Sequence, residues 1–146
     1  MVDFLPMITL VPLRLSHAPV LAAASKNAQF LKGLLYTGPL TRGEAAADIR
    51  RMLARQKKGE LIVRSVEHDG EIVGRVGAGM RGNRWFLFYW VIPEHQRKGF
   101  GTAAVAAFLP LAPRPLYAEV FPWNEGSKKI LRAKGAKKSG EIFRLN

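Results

Sequence analysis

The chain has 146 residues, of which 48% are hydrophobic and 23% are charged, so one compact globular domain spanning residues 1–146 is expected and a disordered chain is excluded. Its 23 lysines and arginines against 11 aspartates and glutamates give a formal charge of +12, which favours polyanionic partners such as a phosphorylated cofactor, nucleic acid or an acidic protein. The absence of cysteine excludes disulfides, thiolate zinc sites and a cysteine nucleophile. The three histidines are scattered along the chain, which argues against a metal site.

The longest strongly apolar segment indicates that the chain does not span a membrane. It runs from Trp85 to Ile92 and has eight residues, whereas a membrane helix needs about 20. The first residues include an acid, Asp3, and show no clear signal-peptide cleavage site. We therefore expect a cytoplasmic protein.

The first part of the chain predicts one strand and two helices. The strand covers Ile8 to Leu15, and apolar residues at helical spacing predict a helix from Ala18 to Leu34. Thr41 and Glu44 have the spacing of a capping box, so a second helix should begin there and end at Gly59.

The middle and last parts of the chain predict five strands and two helices. Asp69 and Gly70 form a hairpin turn, and the aromatic segment Trp85 to Ile92 predicts a strand buried on both faces. The other predicted strands are Leu61 to Val66, Ile72 to Ala78, Leu116 to Phe121 and Ile142 to Leu145, and the helices are Gly99 to Leu109 and Asn124 to about Lys134. The order of elements indicates an α/β (α+β) fold with a mixed, mostly antiparallel central sheet and helices on both faces.

The chemically informative segment is the turn from Gln96 to Thr102, between the aromatic strand and the next helix. Gly99 and Gly101 remove side chains where the backbone must approach a ligand closely. The free amides and the dipole of the following helix suit a pyrophosphate, and Arg97 and Lys98 add positive charge. An ordinary strand-to-helix turn explains the same residues, so this segment alone leaves both interpretations open.

Two motifs resemble those of the GNAT superfamily of N-acetyltransferases. Gln96-x-x-Gly99-x-Gly101 is similar to its acetyl-CoA signature, whereas the Rossmann and P-loop motifs are incomplete here. The pattern Asn-x-x-Ser-x-x-x-Leu-x-x-x-Gly, which starts at Asn124, is similar to the branch that acetylates the N-termini of ribosomal proteins. The resemblance covers roughly residues 8 to 145. It implies the GNAT-like acyl-CoA N-acyltransferase fold and direct transfer of acetyl from acetyl-CoA to a primary amine.

The resemblance also implies where coenzyme A binds. Pantetheine would lie in a gap between the strand that carries Val91 and Ile92 and the strand that carries Glu119, and backbone amides at the end of the first strand would bind the thioester carbonyl. The expected cofactor-binding residues are Val91, Ile92, Gln96, Arg97, Lys98, Gly99, Phe100, Gly101, Thr102 and Asn124.

Glu119 and Ser127 are the expected catalytic residues. Glu119 precedes Asn124 by five residues, which matches the water-linked glutamate base of the N-terminal acetyltransferases that the chain resembles. A solvated carboxylate or an ion pair explains Glu119 as well. Many relatives protonate the departing thiolate with a tyrosine at the position of Leu131, so Ser127 is the remaining candidate donor. A hydrogen bond to the backbone explains Ser127 equally, and a helix cap explains Asn124.

Aromatic residues near the predicted site have two expected roles. Tyr36 is a candidate to face the acceptor amine. The remaining aromatic residues near the site are interpreted as packing: Trp85, Phe88, Tyr89, Trp90 and Trp123.

Two other functions compete with the enzyme, which the motifs favour. A basic nucleic-acid-binding module is suggested by the lysines and arginines from Lys128 onward, although no RNA motif with interleaved aromatic residues is present. A non-catalytic relative that binds coenzyme A is suggested by the missing tyrosine. The expected partner is an amine acceptor, which includes a protein N-terminus. Because only eleven residues follow Gly135, a homodimer is a further expectation.

Overall fold

The computed structural model describes residues 5–34, 36–139 and 142–146. Asp3, on which the expected localisation partly rests, lies outside these ranges. The strands are β1 Thr9–Val11, β2 Leu61–His68, β3 Glu71–Arg81, β4 Arg84–Val91, β5 Leu116–Glu119, β6 Lys137–Ser139 and β7 Ile142–Leu145. The α-helices are α1 Ala18–Ala24, α2 Ala28–Lys32, α3 Arg42–Lys57, α4 Phe100–Phe108 and α5 Glu125–Ala133. Short 3-10 turns cover Leu15–His17, Pro93–His95 and Leu109–Leu111.

The strands form a sheet of seven in the order β1-β2-β3-β4-β5-β7-β6. Every neighbouring pair is antiparallel except β4 and β5, which are parallel because α4 connects them. The predicted mixed, mostly antiparallel sheet is therefore confirmed. Strand β6 is an element that the sequence analysis missed.

Helices cover both faces of the sheet, and each face has its own apolar core. On one face α4 and α5 pack against strand residues such as Val76 and Leu116. On the other face α1 to α3 pack against residues such as Leu61 and Val63. We call these the α4–α5 face and the α3 face. Within the described ranges, no helix is both long and apolar enough to cross a bilayer.

The region predicted as one helix from Ala18 to Leu34 forms two helices instead. Buried Ser25 donates to the carbonyl of Ala22 at 2.7 Å, and Asn27 Oδ1 accepts from the amide of Phe30 at 2.9 Å. These polar side chains compete with the helical backbone, so α1 ends and α2 begins anew. The first strand is likewise shorter than predicted and comprises only Thr9–Val11.

Two local predictions are confirmed by the backbone. Thr41 and Glu44 form the capping box of α3, with side-chain to amide distances of 3.0 and 3.1 Å. Asp69 and Gly70 take positive φ values of 50° and 79° in the β2–β3 hairpin.

The prediction that β4 is buried on both faces is wrong. Within this strand Leu87 is buried, whereas Phe86, Phe88 and Trp90 are only partly buried. The reason is that β4 loses its neighbour on one side before it ends, which leaves space beside its aromatic residues.

Candidate active site

A gap opens between β4 and β5. The two strands pair only at Trp85–Leu116 and Phe86–Tyr117, although β4 continues to Val91 and β5 to Glu119. Beyond Phe86 the backbone of β4 therefore has a free edge toward β5. An extended ligand can use this edge as a neighbouring strand would.

One main-chain donor that faces this gap is the amide of Val91. The amide of Ile92 donates to the carbonyl of Val73 at 2.9 Å, so it is used within the sheet. Antiparallel partners alternate between hydrogen-bonded and non-hydrogen-bonded pairs, and Val91 therefore directs its amide away from β3. Of the two predicted positions, Val91 has the amide suited to a thioester carbonyl, and Ile92 contributes packing.

The turn before α4 has the geometry of an anion site. Arg97 and Gly99 have positive φ values of 63° and 86°, and a non-glycine residue in this region indicates backbone strain of the kind found at functional sites. The side chain of Gln96 donates to the carbonyl of Val91 at 3.0 Å, which fixes the turn to the end of β4. The side chains of Arg97 and Lys98 are exposed.

The first amides of α4 point out of the helix toward this turn. The first intrahelical bond runs from the amide of Ala103 to the carbonyl of Gly99 at 3.0 Å. The amides of Phe100, Gly101 and Thr102 precede it and have no partner within the helix. Three adjacent donors at the positive end of a nine-residue helix suit an anion.

Phe100 and Gly101 have different roles in this helix. The side chain of Phe100 is buried against His68 and His95, so only its amide can contact a ligand. A Cβ on Gly101 would lie 3.4 Å from Ile130 and 3.5 Å from Tyr89, which are ordinary contacts. Protein packing thus admits a methyl group there.

The N-terminus of α5 carries a hydrogen-bonded pair that the sequence analysis missed. Asn124 Oδ1 accepts from the amide of Ser127 at 3.0 Å, which confirms the predicted cap. The hydroxyl of Tyr89 donates to Ser127 Oγ at 2.6 Å. Burial raises the pKa of Tyr89, and the bond with Ser127 opposes this rise by less. Tyr89 therefore keeps its proton at neutral pH. In the sequence, the only indication that Tyr89 lies near the site was its place on the predicted strand, two residues before Val91.

Glu119 lies on the opposite face of the sheet from Ser127. Its strand neighbours Ala118 and Val120 are buried in the core under α4 and α5, so Glu119 points toward the α3 face. The carboxylate is exposed and lies 3.7 Å from Arg81 Nη2. The ion pair, one of the structural alternatives for Glu119, is thus present, and it leaves the carboxylate accessible.

A cavity of about 400 Å³ lies between the gap and α3. Its walls are mostly apolar and include Met52, Phe86 and Phe88, and its polar side chains are Arg55, Arg81 and Glu119. This volume is within the range of pockets that bind small ligands. The cavity opens on the same face of the sheet as Glu119.

Two aromatic side chains stand at the mouth of this cavity. Phe121 lines the cavity, and its ring stacks on Trp123 with centroids 5.4 Å apart. Trp123 is 42% exposed, so it packs at the edge of the protein and keeps part of its ring open to solvent. Lys32 of α2 lies 5.0 Å from its ring, and this contact ties α2 to the loop after β5.

Tyr36 has a structural partner. Its hydroxyl donates to Asp48, whose other oxygen lies 2.6 Å from Arg75 Nη1. Burial and the bond to Asp48 raise the pKa of Tyr36 well above its ordinary value. Tyr36 thus completes a buried polar cluster, and the sequence-based suggestion that it faces the acceptor is not supported.

Parted strands, a turn with free amides before a helix and a cavity on the far side of the gap are the features expected of an acyl-CoA N-acyltransferase. Residues 7–137 match the family model described as "Acetyltransferase (GNAT) domain", so the chain belongs to the GNAT acetyltransferase family. The protein is accordingly an N-acetyltransferase that uses acetyl-CoA. No curated protein matches the sequence closely enough to count as a relative.

Solved structures show the same fold at low sequence identity. The RimJ protein of Mycobacterium smegmatis, in complex with CoA-disulfide, aligns with a TM-score of 0.82 and 19% identity over 96% of this chain and 82% of its own. A putative ribosomal-protein-serine acetyltransferase from Vibrio cholerae gives 0.73 and 20% over 98% and 95%. RimL, a ribosomal L7/L12 alpha-N-protein acetyltransferase in complex with coenzyme A, gives 0.75 and 15% over 94% and 93%.

Proposed function

We propose that the enzyme transfers acetyl from acetyl-CoA directly to a primary amine in the cavity on the α3 face, and that the amine is a protein N-terminus or that of a small molecule. The observation that carries this proposal is the position of Glu119 and Ser127 on opposite faces of the β4–β5 gap. An amine that loses a proton on one side and a thiolate that gains one on the other need this separation.

The cofactor is proposed to lie along the α4–α5 face and to enter the gap. The amides of Phe100, Gly101 and Thr102 would bind its pyrophosphate, with Arg97 and Lys98 beside them. The amide of Val91 would then bind the thioester carbonyl and stabilise the negative charge that develops on its oxygen. Asn124 uses its Oδ1 for the cap of α5, and its amide group is left for pantetheine.

Glu119 is proposed to act as the base, directly or through a water. An α-amine has a pKa of about 7.7 to 8.0, so much of it is protonated at pH 7 and must lose a proton before attack. The exposed carboxylate is within reach of the cavity, and Arg81 holds it from the side.

Ser127 is proposed to donate a hydrogen bond that stabilises the departing thiolate, which then takes its proton from water. Because Tyr89 donates to Ser127 Oγ, the hydrogen of Ser127 is free to point elsewhere. The raised pKa of Tyr89 argues that this residue stays protonated and orients Ser127. Tyr89 is thus a positioning residue.

The nucleic-acid alternative is weakened by one of its own residues. Lys128 is buried, and its Nζ donates to the carbonyl of Pro122 at 2.6 Å and to Glu125 at 3.2 Å. It braces the loop before α5, so it adds nothing to an open basic surface.

Three further predictions belong to this proposal. Residues 1–146 act as one N-acetyltransferase domain, the enzyme works in the cytoplasm, and it forms a homodimer. Light scattering over a range of protein concentrations tests the last of these.

The proposed function is tested by Glu119→Gln, with Glu71→Gln as the matched control because Glu71 is an exposed strand carboxylate outside the cavity. Mass spectrometry measures acetyl transfer to peptides and small amines, and calorimetry measures acetyl-CoA binding. We expect Glu119→Gln to lower kcat at pH 7 by about 100-fold, a usual contribution of a general base, with unchanged acetyl-CoA binding. Equal kcat values for both variants from pH 6 to 9 would exclude the base role.

A further inference from the structure

A row of side chains starts at the wall of the cavity and crosses four strands on the α3 face. Phe86 of β4 pairs with Tyr117 of β5, Tyr117 with Arg144 of β7, and Arg144 with Lys137 of β6. Paired residues on neighbouring strands point to the same side of a sheet. Because Leu116 next to Tyr117 is buried under α4 and α5, the row lies on the face that carries Glu119.

The row forms part of a positively charged surface. We call it the cationic face and define it by Arg81, Arg84, Lys137 and Arg144, all of which are exposed. A depression of about 230 Å³ lies among Arg84, Lys137 and Arg144, with Tyr117 beneath them. Arg81 also lines the cavity of about 400 Å³ described above, so the cationic face is continuous with that cavity.

We propose that the cationic face docks an acidic segment of a protein whose amino terminus enters the cavity. This inference rests on the proposed function and specifies its acceptor. Four clustered cations on a chain with a formal charge of +12 are complementary to carboxylates, and such complementarity raises the rate of encounter and fixes the register. In the cavity the carboxylate of Glu119 would meet the amino terminus of the acceptor. The acidic side chains that follow would meet the cationic face, so the acceptor segment is complementary in charge at both of its ends.

The geometry indicates which acceptor residues are acidic. From β4 to β6 the row crosses three strand spacings of about 4.8 Å, or about 14 Å in total. An extended chain covers this distance with about four residues, at about 3.3 Å each. If the first two residues occupy the cavity, acidic side chains at about positions three to six reach the cationic face.

The same surface fits single-stranded RNA less well. RNA recognition on a sheet uses open aromatic rings on which bases stack. Here the guanidinium of Arg81 lies 3.7 Å from the ring centre of Phe86, and that of Arg84 lies 4.6 Å from the ring centre of Tyr117. The rings are covered, and what the surface presents is charge.

The test compares two short peptides that share their first two residues. At positions three to six one peptide has glutamate and the other glutamine. The enzyme variant is Arg84→Gln/Lys137→Gln/Arg144→Gln, which leaves Arg81 and its ion pair with Glu119 in place. The control variant Arg42→Gln/Arg50→Gln/Lys58→Gln removes three exposed charges associated with α3. Fluorescence anisotropy measures peptide binding, and mass spectrometry measures kcat and KM.

We expect the natural enzyme to bind the glutamate peptide about tenfold more tightly, because three exposed charge contacts of modest strength add up. The preference should appear in KM rather than kcat, should decrease with added salt, and should persist in the control variant. It should be lost in the cationic-face variant, whose turnover of the glutamine peptide stays unchanged.

Three results would overturn the docking proposal. They are equal binding of both peptides by the natural enzyme, a preference that survives in the cationic-face variant, and RNA binding that depends on this face without any peptide preference. Transfer to the glutamine peptide with no charge preference would leave the proposed function intact. A charge-dependent binding of the glutamate peptide without transfer to any amine would instead support docking and reject the proposed function.

Discussion

The α4–α5 face and the α3 face of the β4–β5 gap are built by different means. On the α4–α5 face the groups proposed to bind the cofactor are main-chain amides in one short segment, from Val91 to Thr102. On the α3 face the groups proposed to meet the acceptor are side chains from elements far apart in sequence, such as Arg55, Phe86 and Glu119. The first arrangement suits a constant ligand, acetyl-CoA, and the second can change with the acceptor.

The difference shows how this fold separates its tasks. Amides are supplied by the backbone whatever the side chains are, and glycine gives access to them. Side chains on α3, β4 and the loop after β5 can vary without disturbing the amides. We therefore expect substitutions on the α4–α5 face to affect every acceptor equally, and substitutions on the α3 face to discriminate among acceptors.

The largest effect is expected for Gly101→Asp. A carboxylate beside the first amides of α4 would repel the pyrophosphate, and acetyl-CoA binding should fall by at least about 100-fold, because like charges brought together cost several kcal/mol. Calorimetry measures the affinity.

Gly101→Ala is its matched control. A methyl group there makes only ordinary contacts with Ile130 and Tyr89, so binding should stay within a few-fold of the natural value. If Gly101→Asp binds as well as Gly101→Ala, the anion site is elsewhere.

The next effect is expected for Ser127→Ala. Loss of the hydroxyl removes the hydrogen bond to the departing thiolate, and kcat should fall by about 10 to 100-fold with every acceptor, as expected for one hydrogen bond to a charged group. Acetyl-CoA binding, measured by thermal shift, should be unchanged. A decrease that depends on the acceptor would contradict the assignment of Ser127 to the cofactor side.

A smaller effect is expected for Tyr89→Phe. The ring still fills its space, but Ser127 loses the bond that orients it, so kcat should fall by about tenfold, equivalent to about one good hydrogen bond. In the double variant with Ser127→Ala the second substitution should have no further effect on kcat. Additive losses would show that Tyr89 acts independently of Ser127.

The smallest effect is expected for Trp123→Ala, which removes an exposed ring at the cavity mouth. We expect KM to rise by about threefold to tenfold for acceptors with apolar first residues, and to stay unchanged for small hydrophilic amines, because burying apolar surface is the lost contribution. Acetyl-CoA affinity serves as the internal control. A uniform rise in KM for all acceptors would point to a change in the fold of the loop instead.

Much of the fold was predictable because its signals are local. The capping box at Thr41 and Glu44 and the turn at Asp69 and Gly70 each depend on neighbouring residues, and each is confirmed. Where long-range contacts decide, prediction failed: buried Ser25, which accepts from the amide of Leu40 at 2.8 Å, helps to divide one predicted helix into two.

The candidate site divides in the same way. The turn with Gly99 is a contiguous motif, so its place before a helix followed from the sequence. The role of Tyr89 did not, because its partner Ser127 is 38 positions away and only packing of α5 against β4 brings the two hydroxyls to 2.6 Å. The exposure of Trp123 could not be predicted from the sequence either, because it depends on how α2 packs against the loop after β5.

The sequence by itself determined the family, the order of most elements and the position of the glycine turn before α4, because each of these depends on adjacent residues. Only the tertiary structure decided where β4 and β5 part, which is after Phe86. It also decided that the amide of Ile92 donates to Val73 whereas that of Val91 faces the gap, and that Glu119 and Ser127 lie on opposite faces of the sheet. Strand register and side-chain direction depend on pairing between distant segments, and no local pattern fixes them.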